Sequence, residues 1–310
     1  MSSKPMQETH THKIAMLTWA TGDLWPDIAK HLAKAGYVLC LMGRNKETLC
    51  KVLDELNQQY PENHTTHTCD ITKSSQIDTA INEAIDIHGT PDLIINNAAI
   101  IGNPQRLDTL QEEEITNIIN TNLTWTVMFT QKIITELLKT ESPCNLITIG
   151  STAGLYPYPY RSIYALTKAG LKNFVESIAP EYKNNGIKIN YLCPGPIAWP
   201  TVDKVIQDRA DHRALSRTEM EKNFASIVSD NGQLLTKDDL FSTIDVLINN
   251  SLDQLTGSMF TWHTIGFDTY GIYDASNEKI IERNEMIKNI PMTQWVNYAK
   301  RRYLIEWNKK

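Results

Sequence analysis

A chain of 310 residues with 41% hydrophobic and 21% charged residues has the composition of a soluble globular protein and can bury a full core. Its formal net charge of −6 supplies no basic field, so nucleic acid is not expected as a partner. No apolar run approaches the roughly 20 residues that a membrane span needs, so membrane insertion is not expected either.

Residues 1–12 are polar and lack the apolar stretch of a secretory signal, which predicts a flexible tail. His10 and His12 lie in this tail, but two imidazoles in such a segment are a weak signal for metal, and no metal site is predicted. The five cysteines are odd in number, widely spaced and mostly inside apolar runs. This pattern is typical of reduced core thiols in a cytoplasmic protein rather than of a disulfide framework.

Beyond the tail, short apolar runs alternate with segments of helical period, which is typical of parallel strands joined by crossover helices. Strands are predicted at Ile14–Thr18, Tyr37–Met42, Thr66–Cys69, Leu93–Asn96, Leu146–Ile149, Lys188–Cys193 and Met259–Trp262. Helices are predicted at Pro26–Ala35, Lys46–Gln58, Ser74–Ile87, Glu112–Leu138, Ser162–Lys183 and Asp238–Asn249. The predicted class is therefore α/β, with a Rossmann-like, doubly wound parallel sheet of about seven strands.

Two stretches stand outside this alternation. Within a single domain at 13–265, residues 200–236 form a polar insertion with weak helical patterning, which we interpret as a substrate loop. Residues 266–310 form a C-terminal extension in which Trp295 and Trp307 belong to an apolar stripe at helical spacing. We expect this extension to be helical and to pack on the domain or on a second subunit, with a functional lid as the alternative.

The most informative spacing in the chain is that of Tyr164 and Lys168, which lie four positions apart. On a helix this spacing puts both side chains on one face, so the ammonium should lower the pKa of the phenol from about 10. Ser151 lies thirteen residues earlier, just after an apolar run, and Asn122 lies on the preceding long helix. A role in packing alone is the alternative, because a Tyr-Lys pair at this spacing also occurs by chance.

Four stretches of the sequence resemble the short-chain dehydrogenase/reductase family of the classical type: Lys13–Leu49, Asp92–Ala98, Asn145–Lys168 and Ser177–Gly195. The resemblance implies that Tyr164 is the general acid/base and that Lys168 lowers its pKa and holds a ribose. It also implies that Ser151 orients or polarises a substrate oxygen and that Asn122 holds the water of a proton relay.

The same resemblance implies a site for NADP at the ends of the strands. Asp70 corresponds to the adenine-contacting Asp of the family, and Arg44 closes the second strand, where an Arg can pair with a 2′-phosphate. Asn96 begins the counterpart of the family's Asn-Asn-Ala-Gly motif, in which Ala99 replaces the glycine. Gly195 follows the sixth strand, as expected near the nicotinamide.

The glycine-rich turn after the first strand departs from the family pattern. Its three glycines, which let the backbone approach a diphosphate at a helix N-terminus, are replaced by Trp19, Asp23 and Trp25. We expect Trp25 to fill the space of the diphosphate and Asp23 to cap the helix with its own charge. NADP is therefore predicted to bind weakly or not at all, unless a shifted backbone still admits it.

Three aromatic residues are candidates for the substrate pocket. Tyr156 and Tyr158 belong to a Tyr-Pro repeat at 156–160, whose prolines fix the chain, although packing or a dimer contact is an equal alternative for them. Trp199 lies in the segment after the sixth strand, which is similar to that of bacterial pteridine reductases.

Three functions follow from these patterns. The best single hypothesis is an atypical carbonyl or C=N reductase that uses NADP(H). The second is a non-redox acid/base enzyme, of the isomerase, lyase or cyclase type, on the same scaffold without NAD(P), as in halohydrin dehalogenases. The third is a non-catalytic binding or scaffolding relative. A small-molecule substrate and a homodimer or homotetramer are the partners that the resemblance implies.

Overall fold

The structure is a computed structural model that describes residues 12–18, 24–155, 158–225, 234–248, 256, 259–261, 271–274 and 279–282. Its strands are β1 (Lys13–Thr18), β2 (Tyr37–Gly43), β3 (Thr65–Thr68), β4 (Leu93–Asn96), β5 (Cys144–Ile149), β6 (Ile187–Cys193), β7 (Met259–Thr261), β8 (Gly271–Asp274) and β9 (Lys279–Glu282). They form one sheet in the order β3-β2-β1-β4-β5-β6-β7-β8-β9. Strands β1 to β7 pair in parallel, whereas β8 and β9 run antiparallel.

The helices between the strands are α1 (Trp25–Lys34), α2 (Lys46–Gln59), α3 (Ser74–His88), α4 (Glu112–Ile119), α5 (Trp125–Thr140), α6 (Ser162–Tyr182), α7 (Pro200–Arg213), α8 (Arg217–Ala225) and α9 (Lys237–Ile248). The predicted α/β class with a doubly wound parallel sheet is confirmed. The long helix predicted at Glu112–Leu138 is wrong in one respect, because a π-helical turn at Asn120–Thr124 separates α4 from α5. The polar insertion at 200–236 contains α7 and α8.

The prediction of a helical C-terminal extension is wrong where the structure describes that part of the chain. Residues 271–274 and 279–282 are strands that continue the sheet beyond β7. The edge of β7 offers backbone donors and acceptors, and Ile272, Tyr273, Ile280 and Ile281 are residues that favour strands. The aromatic stripe from Trp295 to Trp307 lies outside the described residues.

Two core layers cover the sheet, one on each face. In β1, Ala15 and Leu17 pack into the layer that contains α1, α2 and α9. Ile14 and Met16 pack into the opposite layer, which contains α3, α5 and α6. A strand that is buried on both faces has an almost uninterrupted apolar sequence. The central strands were predictable from the sequence for this reason.

Two further features of the described residues are the state of the cysteines and the character of the helices. All five cysteines are free thiols, and four of them are buried. No helix in these ranges is long and apolar enough to cross a membrane.

Three buried histidines surround the sheet edge at β3. The Thr65 hydroxyl lies 2.9 Å from Nε2 of His67 and 2.9 Å from Nε2 of His88. His64 accepts a hydrogen bond from the Leu39 amide at 3.1 Å. Burial lowers the pKa of all three imidazoles, and nearby histidines lower that of His88 further.

This cluster predicts that acid destabilises the protein. Because the folded-state pKa values are depressed, the unfolded chain takes up protons first as the pH falls below about 6.5. The free energy of unfolding, measured by urea denaturation, should therefore fall between about pH 7 and pH 5.5, by about 1–3 kcal/mol. His88→Asn should flatten this dependence, whereas His12→Asn, at an exposed histidine, should leave it in place. If the free energy of unfolding of His88→Asn fell with pH as steeply as that of the unchanged protein, the histidine cluster would not be the cause of the acid destabilisation.

Candidate active site

Ser151 and Tyr164 meet at the carboxyl edge of the sheet, where α/β proteins place their ligands. Ser151 follows β5 by one glycine, and its hydroxyl accepts a hydrogen bond from the Ala153 amide at 3.1 Å. Tyr164 lies on the first turn of α6, and the Ser151 side chain is near enough to its phenol to lower the pKa of that group, against the larger effect of burial. The fold thus brings the two hydroxyls to the same place, as a role in proton transfer requires.

Lys168 lies one helical turn beyond Tyr164 and is buried, with 2% of its surface exposed. Its ammonium donates a hydrogen bond to the Ile149 carbonyl, the last of β5, at 2.9 Å. The nitrogen is 5.8 Å from the centre of the Tyr164 ring. Burial lowers the pKa of Lys168 to about 8, an effect that a charge on Cys193 opposes.

The pKa of Tyr164 moves opposite to the sequence prediction. Burial raises it above the ordinary value, and the Ser151 hydrogen bond and the charge of Arg161 oppose this effect only in part. The spacing of Tyr164 and Lys168 identified the right pair, but it could not reveal how deeply the phenol is buried. At neutral pH the phenol is therefore protonated, which suits a proton donor better than a base.

Asn122 occupies the π-helical turn between α4 and α5 and is fully buried. Its side-chain oxygen accepts from the Ile100 amide at 2.7 Å, and its side-chain nitrogen donates to the Ile100 carbonyl at 2.9 Å and to the Thr167 hydroxyl at 3.2 Å. The Thr167 hydroxyl in turn donates to the Tyr164 carbonyl at 2.7 Å. Asn122 therefore ties the loop after β4 to the helix that carries Tyr164. Its role in a water relay stays a prediction.

The predicted cofactor residues lie along the same carboxyl edge. Arg44 is exposed after β2. Burial opposes ionisation of Asp70, but hydrogen bonds from Thr72, and to a smaller extent the charge of Arg44, lower the pKa of this carboxyl. Asn96 ends β4, and its amide nitrogen donates to a threonine hydroxyl on α5 at 3.0 Å. Its buried side-chain oxygen has no donor among the described residues. Gly195 lies in the turn after β6.

Two of these features fit the ends of an NADP molecule. The guanidinium of Arg44 suits a 2′-phosphate, and the buried oxygen of Asn96 offers an acceptor to a ligand hydroxyl. At the diphosphate end, the fully buried Trp25 begins α1 where the family pattern has a glycine. Its indole belongs to the same core layer as Ile149 and Ile197.

The structure describes the start of α1 but not the two other residues predicted to block the turn. Leu24 takes the N-cap position of α1 and makes no side-chain cap hydrogen bond. Trp19 and Asp23 lie outside the described residues, so the cap by Asp23 stays a prediction. The indole nitrogen of Trp25 is buried without a hydrogen-bond partner among the residues that the structure describes.

The structure places two of the three predicted pocket residues. The ring centre of Tyr158 is 6.2 Å from that of Tyr164, and the guanidinium carbon of Arg209 lies 4.2 Å from the Tyr158 ring centre. Trp199 is partly buried immediately before α7 and packs against the core layer that contains Trp25. Tyr156 lies outside the described residues.

Sequence reasoning missed Arg161, which directly precedes α6 and is 5% exposed. Its guanidinium donates to the Gly102 carbonyl at 3.4 Å and to the Asp208 carboxylate at 3.3 Å. Arg161 thereby connects the start of the Tyr164 helix to α7. It also lines a cavity of about 650 Å³ between residues 100–103, α4 and α7. Its position three residues before Tyr164 was the available signal.

Comparisons with known proteins agree with this geometry. The model of the short chain dehydrogenase family matches residues 13–210. D-beta-hydroxybutyrate dehydrogenase of Rhizobium meliloti is 26% identical over 247 residues, which cover 79% of this chain and 95% of that protein. A diacetyl reductase [(S)-acetoin forming] of Staphylococcus epidermidis is 25% identical, with the same coverage. The structure of ElxO with NADP bound matches 81% of this chain and 97% of its own at 26% identity, with a TM-score of 0.70.

The hydrogen bonds of Asn122 predict a stability effect. Asn122→Ala removes three side-chain hydrogen bonds and leaves the Ile100 amide and carbonyl without these partners. The free energy of unfolding should fall by about 2–4 kcal/mol, measured by urea denaturation. The control is Asn117→Ala, at an exposed residue of α4, which should cost less than about 1 kcal/mol. Equal losses in the two variants would contradict the bridging role.

Proposed function

The chain belongs to the short-chain dehydrogenase family, and from that premise we propose that it is an atypical carbonyl or C=N reductase that uses NADPH. The observation that carries the proposal is the grouping of three side chains: the Ser151 hydroxyl lies near the Tyr164 phenol and lowers its pKa, against the effect of burial, and the buried Lys168 has its nitrogen 5.8 Å from the Tyr164 ring centre. This arrangement offers a protonated phenol to a substrate oxygen or nitrogen. Names of relatives, such as diacetyl reductase, support reduction as the class of reaction.

Each residue of the site has its own role in such a reduction. NADPH, when bound, would supply the hydride to the carbon of the C=O or C=N bond. Tyr164 donates its proton to the oxygen or nitrogen of that bond, and Ser151 hydrogen-bonds the same atom and orients it. Lys168 would hold the ribose of the bound cofactor, and it stabilises the phenolate that remains after proton transfer. Reprotonation of Tyr164 by a water held near Asn122 completes the cycle.

Burial of the Tyr164 phenol suits this group to act as the acid in a reduction. A raised pKa keeps the proton on Tyr164 at neutral pH, so the group is ready to act as an acid. The oxygen of a carbonyl that accepts hydride becomes a much stronger base than the phenolate, so proton transfer to it is favourable. The phenol is therefore in the protonation state with which a reduction begins.

The cofactor we propose is NADPH, bound more weakly than the family pattern would give. Arg44 supports the choice of NADPH over NADH, because it can pair with the 2′-phosphate. Trp25 supports weak binding, because a buried indole replaces a glycine at the helix N-terminus where the diphosphate would approach the backbone. Tyr158 and Trp199 are proposed to line the substrate pocket beside Tyr164.

Trp25 also favours the second candidate, a non-redox acid/base enzyme on this scaffold. If the diphosphate region admits no dinucleotide, Ser151 and Tyr164 still provide a proton donor and a polarising hydroxyl. Isomerase, lyase or cyclase chemistry would use these two groups without NADPH. Consumption of NADPH that depends on substrate distinguishes the two candidates.

We also propose a homodimer or homotetramer. Exposed apolar side chains lie on the helix layer that carries Tyr164: Ile87 on α3, Leu138 on α5 and Leu166 on α6 are 54%, 39% and 52% exposed. Such side chains, which gain by leaving water, suit contact with a second copy of the chain.

The first test of the proposal is Tyr164→Phe, assayed by NADPH consumption with small ketones, diketones and dihydropteridines as substrates. The variant keeps the ring and removes the proton donor, so kcat should fall at least about a hundredfold. The control is Tyr182→Phe, at the far end of the same helix, which should keep normal activity. Full activity in Tyr164→Phe would contradict the role of the phenol.

The second test concerns the cofactor. Trp25→Gly restores the glycine of the family pattern and should raise NADPH affinity about tenfold in a calorimetric titration, while the loss of a buried indole lowers stability by about 3–5 kcal/mol. The control is Trp125→Gly, which replaces the first residue of α5. The indole nitrogen of Trp125 is also buried. This variant should cost stability without any gain in affinity. Unchanged affinity in a folded Trp25→Gly variant would contradict the proposed obstruction.

A further inference from the structure

Tyr191 is a fully buried tyrosine in β6, next to the candidate active site. It pairs with Thr148 of β5, so its ring lies under the turn that carries Ser151. Burial raises its pKa well above the ordinary value, which keeps the hydroxyl protonated over the whole working range.

The Tyr191 hydroxyl joins the backbones of two site residues. It donates a hydrogen bond to the Lys168 carbonyl at 2.9 Å and accepts one from the Ser151 amide at 3.3 Å. One phenol oxygen thus connects the helix that carries Tyr164 to the turn that carries Ser151. A phenylalanine would fill the same space, so filling the core does not account for the hydroxyl.

Two glycines make this bridge possible. A Cβ atom at Gly150 would lie 2.0 Å from Cζ of Tyr191, so only glycine can precede Ser151 while the ring occupies this place. A Cβ atom at Gly154 would lie 2.8 Å from the backbone carbonyl carbon of Lys168. The turn at 150–154 is therefore packed directly against the Tyr191 ring and the backbone of α6.

We propose that Tyr191 is a positioning residue that sets the distance between the Ser151 hydroxyl and the Tyr164 phenol by bridging the Ser151 amide and the Lys168 carbonyl. Its consequence for turnover rests on the proposed function, but the bridge itself belongs to the free protein. Without the hydroxyl, the turn and the helix keep their packing but lose the hydrogen bonds that fix their separation.

The first experiment needs no substrate. In protein labelled with ¹³C at tyrosine Cζ, the Tyr164 resonance at neutral pH reports on the contact of its phenol with the Ser151 hydroxyl, and Tyr164→Phe assigns it. Tyr191→Phe should move this resonance in the same direction as Ser151→Ala, and the double variant should move it no further. Hydrogen exchange at the Ser151 amide should accelerate about tenfold in Tyr191→Phe. Tyr37→Phe, at a buried tyrosine of β2, is the control and should change neither signal.

The second experiment uses turnover. Tyr191→Phe should lower kcat about tenfold while KM changes less than about twofold, because binding groups stay in place and the proton donor loses its alignment. In the Ser151→Ala background, Tyr191→Phe should have no further effect on kcat. Gly150→Ala, which pushes the ring from the other side, should reproduce the loss of kcat.

The two experiments separate the inference from the proposed function. If no substrate is turned over with NADPH, the function fails but the resonance of Tyr164 still decides the role of Tyr191. If Tyr191→Phe leaves the Tyr164 resonance and the Ser151 amide exchange unchanged, the positioning role is wrong, whatever the activity. Additive effects of Tyr191→Phe and Ser151→Ala on kcat would also overturn it.

Discussion

The arrangement of the site depends on the burial of one charge, the ammonium of Lys168. A cation that is 2% exposed must find an oxygen in the interior, because an unpaired buried charge costs several kcal/mol. The Ile149 carbonyl at the end of β5 supplies that oxygen at 2.9 Å. Since Lys168 is fixed on α6, this hydrogen bond also fixes where Tyr164 lies relative to the residues that follow β5.

Side chains that bind backbone groups hold together the part of the site proposed for acid–base chemistry. Asn122 binds both backbone groups of Ile100, and Tyr191 binds the backbones of Ser151 and Lys168. In contrast, the buried indole nitrogen of Trp25 and the buried oxygen of Asn96 lack partners among the described residues. The backbone contacts around Ser151, Tyr164 and Lys168 are therefore formed in the free protein, whereas two buried polar atoms beside the proposed cofactor site have no partner among the described residues.

The sequence predicted what local patterns determine. The apolar runs gave the parallel strands, and the spacing of Tyr164 and Lys168, with Ser151 thirteen residues earlier, identified groups that the fold brings together. What it could not give depends on contacts between distant segments. The pKa of Tyr164 is raised by burial rather than lowered by Lys168. The Tyr191 bridge joins β6 to two other elements, and β8 extends an edge that the sequence does not mark.

The most direct test of the account is the fate of the hydride. Purified protein is supplied with NADPH that carries deuterium at the transferred position of the nicotinamide, together with small ketones, diketones and dihydropteridines, and the products are analysed by mass spectrometry. The account predicts a product with one deuterium on the carbon of the former C=O or C=N bond. A product formed without deuterium and without consumption of NADPH would contradict reduction and would favour acid/base chemistry by Ser151 and Tyr164.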